Sequence, residues 1–113
     1  MLKVALVGVG GISGAHIPAW EERRDAELVA LCDIRAEQME KYKKHCYTDF
    51  DEMLKNEEID ILDICLPTYL HAEFAIKAMN MGINVICEKP VSLNAADVAR
   101  VYSTAKSNNV KFM

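Results

Sequence analysis

The sequence predicts one doubly wound α/β domain, a parallel sheet of about six strands with helices on both faces. Three observations lead there. Short apolar runs at Leu2 to Val7, Glu27 to Asp33, Ile61 to Leu66 and Asn84 to Glu88 are continuous rather than alternating, as in strands buried on both faces. Segments of helical pattern separate these runs, so strand and helix alternate and the crossovers between strands are right-handed. A glycine turn, Gly8-Val9-Gly10-Gly11-Ile12-Ser13, follows the first run directly and opens the first helical segment.

Helical patterns lie at Ile12 to Arg23, Ala36 to Lys44, Phe50 to Asn56, His71 to Met81 and Asn94 to Ser107. Pro18 falls inside the first and predicts a kink or an early irregularity, because proline lacks the N–H that an inner turn uses. Asn80 and Gly82 bracket the end of the fourth helix, and Asn94 is an N-cap for the fifth, with Asp97 three residues later. Val110-Lys111-Phe112-Met113 reads as the start of a sixth strand. A domain ending there leaves an apolar edge uncovered, so the chain is expected to be part of a longer protein.

At 113 residues the chain makes one domain, 1–113, long enough to bury roughly two-thirds of its unfolded surface. Hydrophobic residues make up 51% and charged residues 27%, with no apolar run near the ~18 residues of a membrane span and no leader pattern at Met1-Leu2-Lys3. A soluble, cytoplasmic domain is expected. The formal charge of −4 offers no basic surface, so neither nucleic acid nor membrane is expected as a partner. Cys32, Cys65 and Cys87 lie in apolar runs and Cys46 in a polar connector, with no Cys-x-x-Cys pair. The first three read as small buried hydrophobes of a reducing compartment and Cys46 as an exposed residue with no mark of a nucleophile, rather than as metal ligands or disulfides.

The glycine turn has the form of a phosphate grip. Gly8 lets the chain reverse sharply, Gly10 lets the backbone lie close to a pyrophosphate, and the N–H groups of the following helix face the anion. Ser13 stands at the third position of the fingerprint, where a small side chain suffices for close packing of helix on strand. Gly11 and Gly14 also fit as plain packing residues, Gly14 especially. Asp33 ends the second run 25 positions after Gly8, near the ~20-residue offset of an acid that accepts both ribose hydroxyl hydrogens and repels a 2′-phosphate. NAD is therefore favoured over NADP, which stays possible because Arg35 has the charge to pair with a phosphate. Asp33 also fits as an N-cap before Ala36.

Two further segments end strands at the same edge of the sheet. In Leu66-Pro67-Thr68-Tyr69-Leu70-His71, proline stiffens the loop, Thr68 fits as a helix cap and His71 as a helix-start histidine. In Glu88-Lys89-Pro90, a lysine at the sheet edge is able to donate to a substrate oxygen or give up a proton, with the glutamate orienting it. An exposed ion pair closed off by proline fits that segment equally well.

Four stretches in this order, the glycine turn with His16, Cys32-Asp33, Leu66 to His71, and Gly82 to Pro90, resemble the N-terminal domain of the Gfo/Idh/MocA group of NAD(P)-dependent oxidoreductases. The glycine-strand-Glu-Lys-Pro segment is the most specific of them, and the resemblance covers essentially the whole chain. It implies a Rossmann domain that binds NAD(H) or NADP(H), followed by a second α/β domain that carries the substrate site and the contacts of a homo-oligomer. By position, Gly8, Gly10, Gly11 and Ile12 hold the pyrophosphate and Asp33 the adenosine ribose. Leu66, Pro67 and His71 line the nicotinamide side, Glu88 lies near the nicotinamide ribose, and Lys89 is the catalytic residue that meets substrate and cofactor. Leu66 departs from the threonine often found before the loop proline, which removes one hydroxyl contact. The implied reaction moves a hydride between nicotinamide and a sugar, cyclitol or related polyol, with the domain alone inactive. The alternative is an isolated, non-catalytic NAD(H)-binding or sensing module.

Overall fold

The computed structural model describes residues 1–88 and 90–113. Strand β1 (Leu2–Val7) lies at the centre of a five-stranded sheet, flanked on one side by β2 (Ala26–Cys32) and β3 (His45–Tyr47) and on the other by β4 (Ile61–Ile64) and β5 (Asn84–Cys87). All four pairings are parallel, in the order β3-β2-β1-β4-β5. The strand order reverses beside β1, and in such sheets a crevice opens there at the carboxyl ends.

The continuous apolar run of β1 serves two cores at once. Val4 and Leu6 join Leu28, Leu31 and Met39 beneath Ile17 of helix α1 (Ser13–Glu21). Ala5 and Val7 join Leu62, Ile64 and Val85 on the opposite face. That face is covered by Met53 of α2 (Phe50–Asn56), Ala75 and Met79 of α3 (Thr68–Met79) and Val101 of α4 (Ala95–Ser107).

Several local expectations are corrected. Ala36 to Lys44 is not a helix: it makes one 3-10 turn at Ala36–Gln38 and then runs out to β3. Met39 is buried but Glu40, Lys41 and Lys43 are exposed, a stripe too narrow to hold a helix on the sheet. Cys46 accordingly lies in an edge strand rather than a connector, and β3 has no apolar run because only its pairing with β2 creates it. Helix α3 begins at Thr68, not His71, and Pro67 holds the N-cap without a side-chain bond, so Thr68 is not a cap. Helix α1 runs unbroken through Pro18, and the irregularity lies upstream. There Ser13, Gly14 and Ala15 donate to the carbonyls of Gly10, Gly11 and Ile12 three residues back.

Other expectations match. Asn94 caps α4, its Oδ1 accepting from the N–H of Ala96 at 2.8 Å and of Asp97 at 3.3 Å. Gly82 follows α3 with φ +80° and donates to the Met79 carbonyl at 3.0 Å. Where a sixth strand is expected, Lys111 to Met113 runs along the outer edge of β5. Val85 N–H donates to Lys111 and Met113 N–H to Val85, both at 2.9 Å, with a single parallel bridge at Phe112. No helix among the described residues is long and apolar enough to cross a membrane.

Candidate functional site

A cleft of about 430 Å³ opens at the carboxyl end of the sheet. The glycine turn forms one wall with Gly8, Gly10, Gly11 and Ile12, and Asp33 and Arg35 close one end. Leu66, Pro67, His71 and Glu88 complete the opposite side. Ten positions spread over 80 residues of sequence thus meet at one edge, because each follows a parallel strand. Lys89 lies outside the described residues.

Gly8 has φ +94°, and a Cβ placed there would stand 2.8 Å from the backbone C and O of Cys65. The first turn can therefore pass over the β4 loop only as glycine. Ser13 is buried and its hydroxyl donates to the Gly10 carbonyl at 2.6 Å, so it locks the turn as well as packing the helix. Gly14 is not a packing glycine, since an added Cβ there meets nothing within 4 Å. Among the described residues the N–H groups of Gly10, Gly11 and Ile12 find no acceptor, and they lie where α1 begins. Open N–H groups at the start of a helix are an arrangement that favours an anion.

Asp33 is 8% exposed, and its carboxylate holds the turn directly. Oδ2 accepts from Val9 N–H and Oδ1 from Arg35 N–H, both at 2.8 Å. It does not cap the 3-10 turn, whose N-cap is Arg35 without a side-chain bond. The Arg35 guanidinium stands 3.5 Å from Asp33 Oδ1 and is half exposed at the mouth. Beside it a second hollow of about 330 Å³ is lined by Ile34, Leu66, Pro67, Tyr69 and Phe74. Ile34 and Tyr69 are exposed apolar residues at its rim, and sequence reasoning passed over both. The signal available was Ile34 itself, an aliphatic residue just past a strand-ending aspartate.

His71 is buried, with Nε2 2.8 Å from the Leu66 carbonyl and Nδ1 3.1 Å from the Pro90 carbonyl. Its ring ties the β4 loop to the β5 loop and forms part of the cleft wall. Burial pushes the thiols of Cys32 and Cys87 up to about 12 and about 11, helped by Asp33 and Glu88 respectively. Burial, with Asp63, raises the Cys65 thiol too. As thiols they are poor nucleophiles.

One polar cluster escaped the sequence reading because it interrupts an apolar strand. Asp63 in β4 is 1% exposed, and its Oδ2 faces His16 Nδ1 at 2.7 Å and accepts from Trp20 Nε1 at 2.8 Å. Cys65 Sγ stands 3.7 Å from Asp63 Oδ1, and His16 Nε2 lies 3.0 Å from Glu88 Oε1. Ligand-type atoms of His16, Asp63 and Cys65 lie within 4.8 Å of one another, but they are engaged with each other. Burial alone lowers the pKa of His16, yet its bonds to Asp63 and Glu88 outweigh that, and the net direction is upward.

Residues 2–113 match the sequence model of the Gfo/Idh/MocA oxidoreductases, described as an oxidoreductase family with an NAD-binding Rossmann fold. The chain belongs to this family. Among its relatives, a myo-inositol 2-dehydrogenase of Thermotoga maritima is 30% identical over 96% of this chain and 34% of its own length. The structure of a myo-inositol 2-dehydrogenase from Lactobacillus plantarum superposes with a TM-score of 0.92 at 34% identity, over 99% of this chain and 35% of that one. That of the WlbA dehydrogenase of Bordetella pertussis, solved with NADH and UDP-GlcNAcA, gives 0.93 at 29% identity, over 98% and 36%. The chain thus spans about a third of the length of the curated relatives it matches. What it contains is the family's NAD(P)-binding Rossmann fold.

Proposed function

We propose that this chain is the dinucleotide-binding part of a longer Gfo/Idh/MocA dehydrogenase acting on a sugar, cyclitol or related polyol. The observation that carries the reading is the convergence of a glycine turn, a buried ribose-type acid and the ends of β4 and β5 on one cleft. The residues present fit the cofactor. The N–H groups of Gly10, Gly11 and Ile12 are free to take the pyrophosphate, and no side chain at Gly10 or Gly11 bars its approach. Asp33 takes the adenosine ribose and keeps one edge on Val9, so that ribose contact and turn geometry share one carboxylate. The apolar hollow between Ile34 and Tyr69 suits the adenine ring.

Leu66 and Pro67, which also border that hollow, continue with His71 as the wall on the nicotinamide side, and Glu88 meets the nicotinamide ribose. Bound nicotinamide supplies the hydride exchange at its C4 carbon. Lys89, next in the chain, is assigned to substrate contact and proton handling beside it. On this reading the substrate site belongs to a second domain, so this domain alone binds the cofactor without turning over. A reducing, cytoplasmic setting and a homo-oligomer built through a second domain belong to the same reading, the former supported by four free cysteines.

Calorimetric titration of the chain with NADH and NADPH, with and without Asp33→Gly, tests the cofactor assignment. The native chain is expected to bind NADH the more tightly, because a carboxylate at the ribose repels a 2′-phosphate. The variant binds NADH about tenfold more weakly, the scale of one charge-assisted hydrogen bond, and narrows the gap to NADPH. Equal NADH affinity in the two would confine Asp33 to holding the turn.

A further inference from the structure

His16 is the fourth residue of α1, Asp63 the third of β4, and Glu88 follows β5 directly. One imidazole therefore joins the phosphate-turn helix to two strand ends. We propose that His16 is a positioning residue of the cleft: anchored on buried Asp63, it fixes the Glu88 carboxylate and with it the end of β5. The role in binding rests on the reading of the cleft above, whereas the coupling of His16 to Glu88 is measurable without any ligand.

The geometry makes the imidazole a one-sided clamp. Asp63 is immobilised by its burial and by Trp20, which donates to the same Oδ2. Glu88 is half exposed and follows the last residue of β5, so it is the movable partner. Both ring nitrogens face carboxylate oxygens, at 2.7 and 3.0 Å, and only the imidazolium has an N–H for each. Among the described residues, the charged groups around the ring are Asp63 from β4 and Glu88 beyond β5, with the Cys65 thiol behind Asp63. Just past the end of its own helix, Arg23 lines the hollow beside His16 but is paired with Asp25 at 2.7 Å.

Loss of the ring proton leaves one N–H for two acceptors, and the half-exposed Glu88 is the one released. His16 holds its proton more tightly folded than unfolded. Its contribution to stability is therefore complete below the ordinary histidine pKa and is lost as pH rises through the raised folded value. Cofactor binding should weaken over that same upper window, by no more than about tenfold.

The test is NMR of the isotope-labelled chain from about pH 5 to 9, following the His16 ring and the Glu88 side-chain carboxyl, joined to NADH titrations across that range. The Glu88 resonance is expected to move with the His16 midpoint, and Glu88→Gln, at a half-exposed position that the fold tolerates, to lower that midpoint. NADH affinity should fall through it, and His16→Gln should bind NADH about tenfold more weakly at the acid end, with a flat pH profile. A Glu88 resonance indifferent to His16, or a midpoint unmoved in Glu88→Gln, overturns the clamp. Coupling with unchanged NADH affinity in His16→Gln overturns its role in the cleft. Failure of the native chain to bind NADH overturns the cleft reading itself, and is told apart because the coupling is seen without NADH.

Discussion

Gly8→Ala is expected to lower the melting temperature by roughly 10 °C or more and to remove dinucleotide binding. The new Cβ would lie 2.8 Å from the Cys65 backbone, and φ +94° is outside the ordinary range of alanine. Strain and overpacking together cost about 2–4 kcal/mol, against a total of roughly 5–15 kcal/mol for a domain of this size. Relief requires the glycine turn and the β4 loop to separate, and those are two walls of the cleft. Gly14→Ala is the internal control: its Cβ meets nothing, and in the first turn of α1 alanine is the better helix former, so stability holds or rises slightly. Thermal denaturation of both variants with NADH titration checks the pair. Equal melting temperatures for Gly8→Ala and Gly14→Ala would contradict the packing argument.

The second large effect is on turnover. In the longer dehydrogenase, Lys89→Met should cut kcat by ~10²–10⁴, the range for loss of a positioned proton-transfer group, while NADH affinity changes little. The assignment rests on the Glu88-Lys89-Pro90 sequence at the strand edge, on Glu88 in the cleft wall, and on Pro90 held by His71. Steady-state kinetics with NADH binding measured separately is the check. Unchanged kcat would remove Lys89 from the chemistry, and a parallel loss of NADH affinity would make it a cofactor contact instead.

The fold was legible where burial leaves a mark on residue type. The runs at 2–7 and 61–66 are apolar because both their faces are buried, so parallel strands and their alternation with helices could be read directly. Strand β3 left no such mark: His45-Cys46-Tyr47 sits at the sheet edge and exists by pairing with β2. The segment at 36–44 looked helical from its formers, yet it offers the sheet mainly Met39. For the cleft, Gly8, Asp33 and Glu88 could be named because each follows a strand and the topology brings strand ends together. The His16–Asp63–Glu88 contacts could not, because they join an early helix to the third and fourth apolar runs of the sequence. Asp63 looked like an ordinary break in one of those runs.

On the proposed reading, one cleft at the carboxyl edge of the sheet takes a nicotinamide dinucleotide, adenosine end on Asp33 and nicotinamide end by Glu88. An NMR titration of the nitrogen-15-labelled chain with NADH measures this most directly. The largest amide shifts are expected at Gly10 to Ser13, at Ile34 and Arg35, at Leu66 and Thr68 and at Glu88, with the far ends of the strands unmoved. Shifts confined to the opposite edge of the sheet, or a spectrum that NADH leaves unchanged, would contradict it.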